Sequence, residues 1–420
     1  MFNNISKMKP TITIIGAGLA GLTAAICLHR KGFKIQILEA TDRVGGRVKT
    51  DVINGFHLDR GFQVLLTEYP ETKAFLDYKK LNLKRFSPGA TVLYDGGKFE
   101  IADPFRRPSA LFSTLFAPVG SLKDKINTLF LKNKLLKISI SNIFKQPEID
   151  TNSQLKKYGF SQKMVDLFYK PFFSGIFLEN DLKTSSNMFD FVMKMFSEGD
   201  AAIPELGMEE IPKQLLGMLP ENSVHYNIRV SKIENNKIIC ENGQTFETDK
   251  IIIATEATGF ARDYIPKTKQ NFQQVTNIYF QANIAPTKKA VVVLNASKNK
   301  KWVNNLTVMT NVSGKYAPKG KVLISISING IPNVDDETLT ENIKNEIKTW
   351  YGNQVENWKM LKVYRINYAL PNQEKIVNEL SNSDIQINEN LFMCGDHLMN
   401  GSINAAMKSG RLVAELIDIL

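Results

Sequence analysis

The fold is decided by residues 12–50, which read ITIIGAGLAGLTAAICLHRKGFKIQILEATDRVGGRVKT. Residues 12–15 are a β-branched run, typical of a buried parallel strand. A GxGxxG turn and a helix-forming segment, residues 19–30, follow it. A second strand, residues 34–38, ends at Glu39, about 20 residues after the glycines. This order of strand, glycine turn, helix, strand and acid predicts a dinucleotide-binding unit.

Each part of the glycine turn has a physical role in holding a nucleotide. Gly16 permits the tight turn, Gly18 lets the backbone approach a pyrophosphate, and Gly21 lets the helix pack closely on the strand. The amides and the dipole at the helix N-terminus favour phosphate charge. The carboxylate of Glu39 is spaced to accept the ribose hydroxyls. The cofactor-binding residues predicted in this turn are Gly16, Ala17, Gly18, Leu19, Ala20 and Gly21.

A second glycine turn, DRVGGR at residues 42–47, follows Glu39 directly. Its glycines allow tight backbone packing, and Arg47 offers a fork of donors suited to phosphate. These residues resemble the flavin-containing amine oxidase superfamily, which includes protoporphyrinogen oxidases and phytoene desaturases. The resemblance implies non-covalent FAD, with Glu39 at the adenosine ribose and Arg47 near the pyrophosphate. It also adds Ala40, Arg43 and Gly46 to the predicted site.

The resemblance continues through residues 55–63, which read GFHLDRGFQ. The family usually places a glycine-containing loop here, beside the flavin ring. By that resemblance, the FAD site is expected to include Gly61, Phe62 and Gln63.

The C-terminal region predicts a strand, an acidic turn and a helix. Residues 391–394 form the apolar strand, and Gly395 and Asp396 end it. In the family, such a turn reaches the ribityl chain or the pyrophosphate, and the helix start points at the flavin, where its dipole favours an anionic reduced ring. The residues implied are Gly395, Asp396, Ser402, Ile403 and Asn404.

A third block lies between these two. Residues 227–233 and 237–240 predict strands, and Asn242-Gly243 is a strong hairpin signal. Residues 248–255, TDKIIIAT, predict another buried strand. The resemblance implies that the Val230 backbone contacts the adenine side of FAD and that Ala254 belongs to the same site.

Together the blocks predict an α/β fold with a Rossmann-like FAD-binding domain of the glutathione reductase type. Residues 1–68, 203–268 and 384–420 are assigned to this domain. Residues 69–202 and 269–383 are assigned to an α+β substrate domain, with a mixed sheet and a helical cap. Its predicted strands are residues 275–282, 290–295, 306–310, 322–328 and 360–366; a hairpin is predicted at 90–101, and helices at 181–196 and 336–351.

Composition narrows the class of protein. The 420 residues favour two domains, and 43% hydrophobic with 23% charged residues describe a soluble globular chain. No signal peptide or membrane-spanning run is evident, so we expect a cytoplasmic protein. The net charge is +11, but the lysines are scattered, so no nucleic acid partner is expected. The three cysteines have no metal-ligand spacing, and no metal site is predicted.

Residues 109–144 alternate leucine and phenylalanine with lysine, including Lys123, Lys125, Lys132 and Lys134. Such a basic amphipathic segment can lie on an anionic membrane surface, which would make the protein peripheral to the inner face of a membrane. A cap helix with a solvated lysine face is the commoner arrangement and is favoured. The aromatic run at residues 169–177 equally fits a substrate tunnel or a core.

The resemblance implies an FAD-dependent oxidoreductase of the protoporphyrinogen oxidase or desaturase-like branch, which removes hydride from a small apolar organic substrate. Catalytic residues stay unassigned, because the cofactor supplies the chemistry. A flavin amine oxidase is disfavoured, since residues 273–280 lack the lysine that classical members carry. An isomerase resembling UDP-galactopyranose mutase and a membrane-surface protein with structural FAD are further alternatives. The substrate, the electron acceptor and the oligomeric state stay open.

Overall fold

The computed structural model describes residues 9–102, 117–234, 236–256, 259–265 and 270–420. At its centre lies a parallel sheet, the nucleotide sheet, in which strands from all three predicted FAD blocks are hydrogen-bonded side by side. Its central strand, Thr11–Ile15, pairs with Lys34–Leu38 of the first block on one side. On the other side it pairs with Lys250–Ile253 of the middle block. The strand order is Val224–His225, Lys34–Leu38, Thr11–Ile15, Lys250–Ile253 and Leu391–Met393.

Helices pack closely against this sheet because small residues lie at the contacts. Leu19–Arg30, whose bounds match the prediction, contacts the C-terminal helix Ile403–Ile419. A Cβ atom on Gly410 would stand 2.2 Å from a backbone oxygen of the first helix. A Cβ atom on Gly21 would stand 2.1 Å from the carbonyl oxygen of Gly16, so a side chain at this position would clash with the turn.

The predicted hairpin of the middle block is present. Lys237–Cys240 pairs with Thr245–Glu247 across the Asn242-Gly243 turn, and with Val230–Glu234 on its other edge. The strand Val230–Glu234 was predicted to begin at residue 227. It begins at Val230 instead, because Asn227 has a left-handed backbone with φ of 58°.

The second large sheet, the cavity sheet, is mixed, as predicted. Its members pair antiparallel, except that Val292–Asn295 runs parallel to Gly89–Tyr94. One face packs apolar side chains against the helix Asp336–Tyr351. The predicted strand over residues 306–310 is shorter, because a helical turn, Met309–Val312, follows Val308. The strand order is Lys359–Pro371, Phe272–Ala282, Val322–Asn329, Asn305–Val308, Val292–Asn295, Gly89–Tyr94 and Gly97–Ala102.

A helical layer covers the other face of the cavity sheet, as the cap prediction required. The helix predicted over residues 181–196 begins only at Ser186, because Leu182 is left-handed and Ser185 caps the first turn. The layer contains Leu122–Lys137, Ile140–Phe144, Thr151–Lys157, Gln162–Met164, the π-helical turn Val165–Tyr169, Lys170–Phe177 and Ser186–Glu198.

Short elements complete the described chain. The strands are Thr50–Ile53 with Phe56–Asp59, and Leu65–Leu66 with Ala201–Ile203 and Lys84–Arg85. The helices are Pro70–Phe75, Glu210–Leu216 and Asn382–Ile385, with 3-10 turns at Gly259–Tyr264, Gly314–Tyr316, Gly352–Asn357 and Asp396–Leu398. The division into domains at the predicted boundaries stays a prediction.

Candidate functional site

A cavity of about 1310 Å³ extends from the nucleotide sheet to the cavity sheet. Most of the predicted cofactor residues line it, although they come from distant parts of the sequence. The predicted residues along its wall are Gly16, Gly18, Leu19, Ala20, Glu39, Ala40, Gly46, Arg47, Gly61, Phe62, Gln63, Val230, Ala254, Gly395, Asp396, Ser402 and Ile403. The fold therefore brings together the three sequence blocks on which the FAD prediction rests.

The glycine turn leaves space beside the helix N-terminus. Gly16 has φ of 106°, and a Cβ atom there would stand 2.9 Å from the carbonyl oxygen of Ala254. Within the described parts of the chain, no atom comes within 4 Å of a Cβ position on Gly18. The helix that follows has no side-chain cap, so its first amides can donate to a phosphate. This open cradle fits a pyrophosphate.

Glu39 is buried, and both oxygens of its carboxylate accept hydrogen bonds from nearby residues. One carboxylate oxygen, Oε2, accepts from the amide of Ala17 at 2.9 Å. The other, Oε1, accepts from the amide of Thr41 at 2.9 Å and from its hydroxyl at 2.6 Å. A carboxylate has about four acceptor positions, so Glu39 retains capacity for a ribose hydroxyl.

Arg47 connects the first block with the last. Its guanidinium donates to the Asp396 carboxylate at 2.5 Å and to the carbonyl oxygen of Ala369 at 3.1 Å. Burial lowers the pKa of Arg47, but the charge of Asp396 and its hydrogen bond outweigh burial, so the net shift is upward. Arg47 therefore stays a cation on the cavity wall, where an anionic cofactor group would meet it.

The predicted flavin loop is held by Gln63. Its side-chain amide donates to the backbone oxygens of Arg47 and Arg60, both at 3.0 Å. Gly61 has φ of 92°, which favours glycine at this turn. The start of the C-terminal helix faces the same cavity through Ser402, whose hydroxyl caps the amide of Ala405 at 3.0 Å.

Several predicted site residues do not line the cavity: Ala17, Gly21, Arg43 and Asn404. Ala17 acts through its amide on Glu39, and Gly21 through close packing.

Arg43 instead forms ion pairs with Asp51 at 2.6 Å and with Glu209 at 3.0 Å. Burial alone would raise the pKa of Asp51, but hydrogen bonds from Arg60, Tyr364 and Arg43 lower it to about 2. Arg43 therefore contributes to the stability of the protein through these ion pairs and does not line the cavity.

The far part of the cavity is mostly apolar, with polar groups in one area. The aromatic run divides between two roles: Tyr169, Phe173 and Phe177 are buried in the core, whereas neighbouring side chains face the cavity. The run therefore contributes side chains both to the core and to the cavity wall, and its role as a substrate tunnel stays a prediction. Apolar lining residues include Phe168, Phe172, Ile176, Val192, Met193 and Phe196.

Asn305, Ser327 and Tyr364 also line this part of the cavity, together with Gly175 of the aromatic run, and these three were not predicted from the sequence. A signal was present in the alternation of serine with isoleucine in the strand Val322–Asn329, which marks a polar face.

The cysteine thiols are poorly placed for a covalent flavin link. Cys27, Cys240 and Cys394 do not line the cavity, and burial raises the pKa of the Cys394 thiol to about 12. Among the residues that the structure describes, no group of three or more His, Cys, Asp or Glu side chains could hold a metal ion. Within the same parts of the chain, no helix is long and apolar enough to cross a bilayer.

A family model described as flavin containing amine oxidoreductase matches residues 19–418. The chain belongs to this family. Its cofactor is FAD, and the cradle described above fits that molecule.

The relatives that match this chain are named after different substrates. Polyamine oxidase 2 of Arabidopsis thaliana is 27% identical over 263 residues, which are 60% of this chain and 53% of that protein. Protoporphyrinogen oxidase 2, chloroplastic/mitochondrial, of the same plant is 26% identical over 166 residues, 39% of this chain and 32% of that protein. The match thus spans about half the length of the former and a third of the latter.

Solved structures share the fold across the whole chain. An oxidoreductase from Methanosarcina mazei superposes with a TM-score of 0.71 at 18% identity, covering 96% of this chain and 100% of that one. At this identity the likeness shows the fold alone.

Proposed function

We propose that this protein is an FAD-dependent oxidoreductase that removes a hydride from an apolar organic substrate. The observation that carries the proposal is the continuity of the cavity. It runs from the glycine turn, past the loop at Gly61 and Gln63, into an apolar chamber lined by Phe168 and Phe172. An apolar chamber beside a flavin site is where an apolar molecule would be oxidised.

When bound, FAD supplies the hydride-accepting chemistry. The residues of this chain bind, orient and exclude water. The positive end of the helix Ile403–Ile419 and the Arg47 cation stabilise negative charge near the cofactor. Tyr364 donates to the Asp51 carboxylate at 2.8 Å, and burial together with that carboxylate raises the pKa of Tyr364. Tyr364 therefore stays protonated and does not act as a base.

An amine oxidase activity is the second enzyme candidate, because the family includes polyamine oxidases. The strand that would carry its lysine, Phe272–Ala282, contains none. A mutase-like isomerase would need a sugar-nucleotide site rich in Arg and Tyr, which the apolar lining of this chamber does not favour.

A location at a membrane surface is proposed on one further observation. The described part of the segment 109–144 includes the helix Leu122–Lys137, here named the lysine helix; residues 109–116 lie outside the described residues. This helix exposes Leu122 at 63% and Phe130 at 68%, while Leu129 and Lys132 line the cavity. An apolar substrate could pass from an anionic lipid surface into the chamber beside this helix.

The experiment is anaerobic mixing of the FAD-loaded protein with a porphyrinogen, a polyene or a polyamine, followed by its visible spectrum. Bleaching by a porphyrinogen or polyene supports the proposal, and bleaching only by an amine replaces it with the amine oxidase candidate. Bleaching only by dithionite would contradict the redox activity and favour the mutase or structural alternatives.

A further inference from the structure

The cavity sheet carries an unusual row of polar side chains on its cavity face. Cross-strand pairing places Tyr364, Asn277, Ser327 and Asn305 side by side on four neighbouring strands of the described sheet. Three of these residues, Tyr364, Ser327 and Asn305, line the cavity. The opposite face of the same strands is apolar. A polar row inside an apolar chamber calls for an explanation, because burying polar groups without partners is unfavourable.

Several polar groups in this area lack hydrogen-bond partners. Within the described chain, the side-chain nitrogens of Asn277 and Asn304 are buried and unpaired. Asn305, only 5% exposed, lines the cavity. Leaving a buried donor unpaired costs roughly 1–3 kcal/mol, so an oxygen acceptor placed within reach of these amides would be stabilised.

The side-chain amides of Asn304 and Asn305 both approach Gly175. A Cβ atom at that position would lie 2.7 Å from the side-chain nitrogen of Asn305 and 2.8 Å from that of Asn304. The ammonium of Lys300 donates to Asn304 Oδ1 at 3.2 Å, which directs the carbonyl end of this amide to Lys300 and the NH₂ end to Gly175. Because Gly175 has no side chain, the two amides approach this helix closely, and both Gly175 and Asn305 line the cavity. We name Gly175, Asn304 and Asn305 the amide recess.

We propose that the amide recess binds an oxygen acceptor, a carboxylate or a carbonyl, at the end of the substrate far from the oxidised carbon. This inference rests on the proposed function, because it names the class of substrate for the same cavity. The substrate then has an apolar body, which contacts Phe172 and Ile176, and a polar end that the Asn305 amide recognises.

The sheet also sets the length of such a substrate. Asn305 lies three strands away from Tyr364, which is on the strand Lys359–Pro371 beside the predicted flavin loop. Neighbouring strands are about 4.8 Å apart, so the acceptor end sits ~14 Å from the Tyr364 position. A chain of about ten carbons matches this span.

The test is binding of two probes of equal length, decanoate and decylammonium, to the FAD-loaded protein by calorimetry and by the change in the flavin spectrum. Decanoate offers acceptors, whereas the ammonium group only donates. Asn305→Leu removes the donor at similar volume, and we expect the decanoate Kd to rise about tenfold, with the decylammonium Kd unchanged. Gly175→Ala fills the space, and since the facing atoms are ends of side chains that can shift, the fold should tolerate it.

Thr307→Val is the matched control, because Thr307 lies two residues along the same strand face but does not line the cavity. It should leave the decanoate Kd unchanged. Decanoate that binds no better than decylammonium, or that binds equally to wild type, Asn305→Leu and Gly175→Ala, overturns the proposal. This failure is separable from that of the proposed function, since substrate-driven bleaching of the flavin is measured independently on the same preparations.

Discussion

Arg47 donates a hydrogen bond of 2.5 Å to Asp396, a residue 349 positions later in the chain. The pair joins the first and last FAD blocks at the cavity wall, and the carboxylate of Asp396 is almost fully buried. The guanidinium also holds the carbonyl oxygen of Ala369 on the cavity sheet. This contact connects the two large sheets and fixes a cation on the cavity wall.

Asp396→Asn tests the structural value of that pair. Removing the carboxylate leaves the Arg47 charge without its partner, so the free energy of unfolding should fall by roughly 1–3 kcal/mol. Urea unfolding of the FAD-free protein measures it. Asp418→Asn removes a more exposed partner of Lys31 and should cost clearly less, because water screens this ion pair. Equal losses in the two variants would show that the buried pair has no special role.

Glu39→Ala tests the assignment of the ribose acceptor. The variant should bind FAD about 10–100-fold more weakly, because a charged hydrogen bond to the ribose is lost, while the nucleotide sheet is retained. The ratio of flavin absorbance to protein absorbance after purification reports retention. Glu234→Ala, on an exposed strand residue of the middle block, is the control. Full flavin content in Glu39→Ala would show that another residue holds the ribose.

Asp59 should make stability depend on pH. Its carboxyl is buried, which raises its pKa to about 6 although Thr50, Met208 and Tyr316 donate to it. The usual pKa is about 3.9, so between about pH 4 and 6 the native state holds a proton that the unfolded chain has released. The contribution of Asp59 to stability therefore falls as pH rises through this window.

In the variant Asp59→Asn, the side-chain amide cannot titrate but still provides an acceptor oxygen. Relative to wild type, this variant should gain about 2 kcal/mol of unfolding free energy between pH 4 and pH 7. Chemical unfolding at several pH values measures the difference. Profiles that run parallel across the window would mean that Asp59 is ionised at its ordinary pKa in the native state.

Binding to membranes is expected to depend on the lysine helix. Reversing Lys123, Lys125, Lys132 and Lys134 to glutamate should abolish co-sedimentation with anionic vesicles and leave neutral vesicles unaffected, because each lysine near the surface contributes about 1 kcal/mol. Phe130→Asp should weaken binding as well. Lys237→Glu and Lys319→Glu, exposed elsewhere, are the controls. Unchanged sedimentation of the reversed variant would exclude this surface.

Thr307→Val is expected to be neutral or stabilising. Its hydroxyl is buried and unpaired among the described residues, and valine has nearly the same shape. Replacing an unsatisfied hydroxyl by a methyl group removes a desolvation cost of roughly 1–3 kcal/mol. Thermal unfolding measures the effect. A clear loss of stability would show that the hydroxyl has a partner, such as an ordered water, in the folded protein.

The nucleotide half of the fold was predictable because its signals are local. Gly16, Gly18 and Glu39 are spaced by the geometry of one strand–turn–helix–strand unit, so their roles follow from sequence distance alone. The strand Lys34–Leu38 and the helix Leu19–Arg30 end where expected for the same reason. Element ends outside this unit shifted by a few residues, as at Ser186, where a left-handed residue and a cap decide the start.

The substrate side was not predictable because its arrangement depends on cross-strand register. Asn277, Ser327 and Asn305 come from three strands, and only their pairing makes them one row. The position of Arg43, within the FAD motif, was not predictable for the same reason. Arg43 forms an ion pair with Glu209, which is distant in the sequence, and does not line the cavity. Sequence spacing shows which residues are near each other in the chain. Contacts between distant residues, such as the polar row and the pair of Arg43 with Glu209, depend on the three-dimensional fold.

The most direct test of the account is the visible spectrum of the purified protein after reconstitution with FAD, with the released cofactor identified chromatographically. The account predicts a bound oxidised-flavin spectrum, released as intact FAD at one molecule per chain and diminished in Glu39→Ala. A colourless protein after reconstitution, in a sample that is folded by circular dichroism, would contradict the central claim.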